Sequence, residues 1–136
     1  MLYKAQLIGN YMQINQVNNT QPNFGTIKFA FGVDNVLVRL PQKDLSNFVK
    51  KAKRQNKNSF VDITLFSKDD KTLSARIEDK RHYINGPFYQ VNLQKRWGFF
   101  ESTMGFIERC CKTADKRAQK IREALEKQKL LRDLDK

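Results

Sequence analysis

Apolar and polar positions change period several times along this chain, and each change marks a predicted element. Leu2 to Ile8 reads as a strand, followed by an Asn- and Gln-rich stretch over 10–24 that contains Pro22 and is expected to be a flexible connection. Ile27, Phe29 and Phe31 then alternate with Lys28, and Val36, Val38 and Leu40 alternate with Leu37 and Arg39. Gly32 to Asn35 between them is turn chemistry, so the pattern predicts a β-hairpin that ends at Pro41. From Lys43 the period lengthens. Leu45, Phe48, Val49 and Ala52 fall at i, i+3, i+4 and i+7, the stripe of an amphipathic helix over about 43–56.

Alternation returns in the middle of the chain. Val61, Ile63 and Leu65 share one face of a strand, and Leu73, Ala75 and Ile77 share one face of the next. Asn85-Gly86, between His82–Ile84 and Pro87–Leu93, suits the positive φ of a tight hairpin turn. Tyr89, Val91 and Leu93 would share one face of that last strand. The final third repeats at 4-3-4-3: Phe100, Met104, Ile107, Cys111, Ala114, Ala118, Ile121 and Leu125 form a heptad seam. A helix over about 99–131 would be roughly 50 Å long. A globule of this chain length is only about 35–40 Å across. The tail, 116–136, is therefore expected to project or to meet a partner, and Ala118→Lys should break an assembly built on the seam. Taken together, the pattern predicts one α+β domain over 1–136: an antiparallel sheet of five to six strands, one inserted helix and a long C-terminal helix.

Composition narrows the function classes. No apolar run approaches the roughly 20 residues of a membrane span. The opening residues lack the basic-then-apolar layout of a secretory leader, so the expectation is a cytoplasmic protein. Cys110 and Cys111 are neighbours and cannot pair with each other without strain, and His82 is the single histidine, so neither a disulfide framework nor a zinc site is expected. No cofactor motif is present, and there is no phosphate-cradling glycine loop or nucleophile motif. Asp62 with Glu78-x-Lys80 matches the two-carboxylate-and-lysine layout of metal-dependent nucleases. Chance alone supplies such a match in a chain this rich in Lys, and the expectation is a non-enzymatic protein.

Charge is the informative quantity. The net charge is +12, which favours a polyanionic partner. It is unevenly placed: 43–57 carries six basic residues and one acidic, and 80–96 carries four basic residues and none acidic. On a helical wheel Lys43, Lys50, Lys53, Arg54 and Lys57 form one ridge opposite the apolar stripe. Like charges so spaced repel, and a polyanion relieves the repulsion. In the second segment Lys80-Arg81 and Lys95-Arg96 bracket the Asn-Gly turn and are expected to lie close together. Tyr83, Tyr89 and Trp97 beside them suit stacking on unpaired bases. The leading expectation is a nucleic-acid-binding protein that favours single-stranded DNA or RNA. With six to eight phosphate contacts it would lose about a thousandfold in affinity between 50 and 200 mM salt. The alternative is a protein-interaction module, including a homodimer, that works through the C-terminal helix. Membrane attachment is not expected, since no helix joins a bulky apolar face to a long basic one.

Overall fold

The computed structural model describes residues 27–55 and 58–135. The strand expected at Leu2–Ile8, the 10–24 segment and Lys57 lie outside the described residues. In chain order the elements are β1 (Ile27–Phe29), α1 (Val33–Leu37), α2 (Gln42–Gln55), β2 (Val61–Phe66), β3 (Ser74–Asp79), β4 (Gln90–Gln94), a 3-10 turn (Gly98–Phe100) and α3 (Thr103–Leu134). The fold class is α+β with a long C-terminal helix. The sheet among the described residues has four strands in the order β1-β2-β3-β4, not five or six. It is also mixed: β1 runs parallel to β2, while β2–β3 and β3–β4 are antiparallel.

The expected first hairpin is the main correction. Val36–Leu40 does not return as a strand; Val33–Leu37 is a short helix. Val33, Val36 and Leu37 are its buried residues, at i, i+3 and i+4, while Val38 is exposed. The alternation of Val36, Val38 and Leu40 is thus coincidental with a helical stripe. Gly32 makes the turn into that helix at φ 81, and a Cβ there would lie 2.2 Å from the Ser67 carbonyl oxygen. Both the backbone angle and the space demand glycine. Because α1 and α2 fill the connection from β1, the chain returns parallel to β1, as a crossover of this length permits.

α2 follows its stripe. Phe48 and Ala52 are buried and Leu45 and Val49 half-buried against the core, and Phe48 meets the Phe29 ring at a centroid distance of 5.8 Å. The inner face of the sheet presents Ile27, Val61, Ile63, Leu65, Ala75 and Ile77 to the helices. The other face carries Lys28, Thr64, Arg76 and Asn92 in one cross-strand row, and no described helix covers it.

The heptad seam is spent inside the molecule. Ile107, Cys111, Ala114, Ala118 and Ile121 are buried in the same cluster as the β2 and β3 side chains, and small Ala114 and Ala118 let the helix lie close on the sheet. α3 starts at Thr103, so Phe100, the expected head of the seam, is outside it and 68% exposed. Ser102 caps the helix by accepting a hydrogen bond from the Gly105 amide at 2.9 Å. Burial continues to Leu125, and every described position from Glu126 on is exposed. There Leu130, Leu131 and Leu134 are 69%, 66% and 83% exposed. Ala118→Lys is consequently a core substitution and does not report on assembly.

A buried ion pair fastens α3 to β3. Asp79 is 4% exposed on the inner face of β3, and Arg117 holds both its carboxylate oxygens, at 2.9 and 2.8 Å. The guanidinium lies 4.3 Å from the centroid of the Tyr89 ring. Among the described residues no helix is long and apolar enough to cross a membrane.

Candidate nucleic-acid interface

On α2 the outward face is the expected ridge. Lys43, Lys50, Lys53 and Arg54 are exposed, opposite the buried stripe. None of the four is in a salt bridge among the described residues. Lys51, on the side toward α3, is instead taken by Glu108, whose carboxyl is held below its ordinary range by that hydrogen bond. Lys50, Lys51 and Arg54 line one side of a shallow groove of ≈ 540 Å³ between α2 and the start of α3, with Met104, Gly105 and Glu108 on the other.

The two cation pairs of 80–96 do not come together. β4 pairs with β3 in the register Glu78↔Gln90 and Ser74↔Gln94, so Lys80 follows the end of β3 while Lys95 donates its amide to Leu73 before its start. The length of β3 separates them, roughly 20 Å at the rise of a strand. Asn85-Gly86 is no two-residue hairpin turn: residues 80–89 form a long loop, in which Gly86 has φ 123 and its carbonyl meets His82 Nε2 at 2.6 Å.

At the loop end the predicted residues are mostly engaged in structure. Lys80 lies 3.9 Å from Asp62, which Lys28 holds from the other side at 3.1 Å. Arg81 stacks over the Tyr83 ring at 5.1 Å. Tyr83 meets Phe60 edge-on, with centroids 5.1 Å apart, and donates its hydroxyl to the Ser59 carbonyl. Tyr89 is covered by Arg117, and burial pushes its phenol above the ordinary value. Each tyrosine thus has one ring face occupied by an arginine of the same chain. Asp62 and Glu78 are cross-strand partners on the outer face, close to Lys80. Lys28 and Lys80 flank Asp62, and Arg76 lies 3.9 Å from Glu78.

Trp97 differs. It is 81% exposed, at the far end of β4, directly after Lys95 and Arg96. Phe99 is 88% exposed and stacks on Phe100 at 4.7 Å. Sequence reasoning placed Phe100 in the helix seam and passed over Phe99. Ser102, a good N-cap ahead of Thr103, was the signal that the helix begins after the aromatics.

Glu101 clips the aromatic turn. It accepts the Arg96 amide at 2.9 Å and two bonds from Arg109 at 2.8 and 2.9 Å, and Arg109 also donates to the Gln94 carbonyl at 2.8 Å. The Arg109 hydrogen bonds hold the Glu101 carboxyl at about 2, against an ordinary value of 4.5. A depressed carboxylate stabilises the folded turn above its unfolded pKa and loses that contribution as pH falls through the folded one. The anisotropy of Trp97 emission should therefore fall as pH drops from about 4.5 toward 2. In Glu101→Gln it should start lower and stay flat over that range. An unchanged wild-type signal would show that the clip does not hold the turn.

The cysteines are not chemical candidates. Both are buried, and burial pushes Cys110 to about 12 and Cys111 to about 11, so neither is a thiolate at neutral pH. No protein-family model, curated protein or solved structure matches the chain.

Proposed function

We propose that this protein is a non-enzymatic nucleic-acid-binding protein that uses the α2 ridge as its phosphate-contacting surface. The observation that carries the reading is the set Lys43, Lys50, Lys53 and Arg54, exposed on one helix face and, among the described residues, in no salt bridge. Unpaired neighbouring cations repel one another, and a phosphate backbone removes that cost while releasing its own counterions. Lys95 and Arg96 extend the surface separately; Lys80 is partnered by Asp62 and Arg81 by Tyr83.

The separation of the cation pairs lowers the expected salt dependence. About four phosphate contacts on a single strand give a slope near −3 in log affinity against log salt, a loss of about 50-fold between 50 and 200 mM. Fluorescence anisotropy of labelled DNA and RNA, single-stranded and duplex, at 50, 150 and 300 mM salt measures this. Lys50→Ala with Lys53→Ala should flatten the slope by about 1.4 while leaving stability unchanged, since both side chains are exposed. Binding that is insensitive to salt in both proteins would sink the reading.

A second reading is favoured by Leu130, Leu131 and Leu134. Three exposed leucines within five positions at the end of a projecting helix suit a protein-docking segment, a second copy of this chain included.

A further inference from the structure

Three aromatic side chains standing in water within four residues are unusual for a soluble surface, because burying each would remove a large apolar area from solvent. Here the backbone holds them there. Gly98 adopts φ 60, Phe100 donates its amide to the Trp97 carbonyl at 3.3 Å, and Glu101, gripped by Arg109, closes the turn on the Arg96 amide. The ends of the turn are thus tied to β4 and to α3. Rings presented on a fixed turn bind without the cost of ordering a loop.

We propose that Trp97, Phe99 and Phe100 form a stacking platform for the unpaired bases of a single-stranded nucleic acid. This rests on the nucleic-acid reading and adds strandedness to it. Stacking needs a free base face, which a duplex covers with its own neighbours. Phe99 and Phe100 are stacked on each other with centroids 4.7 Å apart, leaving no room for a base between them, so bases meet the outer faces of that pair and the Trp97 indole. Lys95 and Arg96 stand immediately before the platform to take the phosphates. The surroundings match base edges better than a lipid surface. Gln90, Asn92 and Gln94 project exposed from the open sheet face along β4, which leads into the turn. Amides pair with base edges and gain nothing from a bilayer interior.

Trp97 is the single tryptophan of the chain, so its emission reports on this site alone. The full-length protein is titrated with an oligothymidylate single strand, with a duplex and with anionic phosphatidylserine vesicles. Oligothymidylate anisotropy is recorded in parallel. The single strand should quench Trp97 saturably, and Trp97→Ala and Phe99→Ala should each weaken single-strand binding about tenfold while leaving duplex binding unchanged. Phe99→Tyr should keep the affinity. Single-strand binding that leaves Trp97 emission unaltered and is equally tight in both alanine variants overturns the platform and leaves the phosphate ridge standing. Absence of binding to either strand form overturns both readings. A blue shift with vesicles and none of the oligonucleotide effects would assign the aromatics to a lipid surface instead.

Discussion

Asp79→Ala is expected to destabilise the protein by about 3–5 kcal/mol, because removal of one partner strands the other charge in a buried site. Asp79 is 4% exposed, and its carboxylate is shared bidentately with Arg117, whose side chain is 15% exposed and is roofed by Tyr89. In the variant the guanidinium keeps its charge, loses both oxygens and faces the inner surface of the sheet. Part of the loss is recovered if Arg117 swings to water, which places the cost toward the lower end. Urea unfolding followed by circular dichroism gives the number, with an unchanged m-value showing that the unfolded state is the same. Replacing both partners, Asp79→Leu with Arg117→Met, should restore most of the stability, since a buried ion pair contributes little beyond well-packed apolar residues of similar size. If Asp79→Ala costs less than about 1 kcal/mol, the tie between β3 and α3 is not what holds the helix on the sheet.

The parts of the fold that were legible in the sequence are those where one period runs uncontested. The stripe Leu45, Phe48, Val49, Ala52 gave α2, and the alternations Val61, Ile63, Leu65 and Ala75, Ile77 gave β2 and β3 on the correct face. Val33–Leu40 failed because two periods coexist there. Val36, Val38 and Leu40 satisfy a strand, Val33, Val36 and Leu37 satisfy a helix, and β-branched residues tip a local reading toward the strand. The tertiary context decides it: β1 is only three residues long, and among the described strands its one neighbour in the sheet is β2.

Of the candidate interface, the α2 ridge was legible because wheel geometry follows from sequence once the helix is right. The hairpin cations were not. Even a two-residue turn at Asn85-Gly86 would set Lys80 opposite Val91, and the observed register pairs Glu78 with Gln90, which carries Lys80 and Lys95 to opposite ends of β3. The surroundings of the tyrosines were not legible for a different reason. A pattern of aromatic and basic residues does not say which cation covers which ring, and here Arg81 and Arg117 cover Tyr83 and Tyr89 from within the molecule. Of the three expected stacking rings, Trp97 is the exposed one, at 81%.

Ala118→Lys is expected to unfold the domain, where the heptad seam read alone predicts only a loss of assembly. Ala118 is 2% exposed in the cluster that joins α3 to the sheet. A lysine there adds three carbons and a nitrogen to a filled space, for which overpacking alone costs about 1–3 kcal/mol. It also brings an ammonium with no partner, and the desolvation of a buried charge costs several kcal/mol more. The sum is comparable to the roughly 5–15 kcal/mol by which domains are stable at all. The far end of the same helix behaves oppositely. Leu131→Lys and Leu134→Lys change side chains that are 66% and 83% exposed, so the circular dichroism spectrum and urea midpoint should stay within error of the parent. If the leucines dock a second copy of the chain, sedimentation equilibrium at high concentration will show a dimer in the parent and a monomer in these two variants. A parent that is monomeric throughout removes the self-association reading. A soluble, cooperatively folded Ala118→Lys would mean that α3 can lift from the sheet at its middle, and that the seam is available to a partner after all.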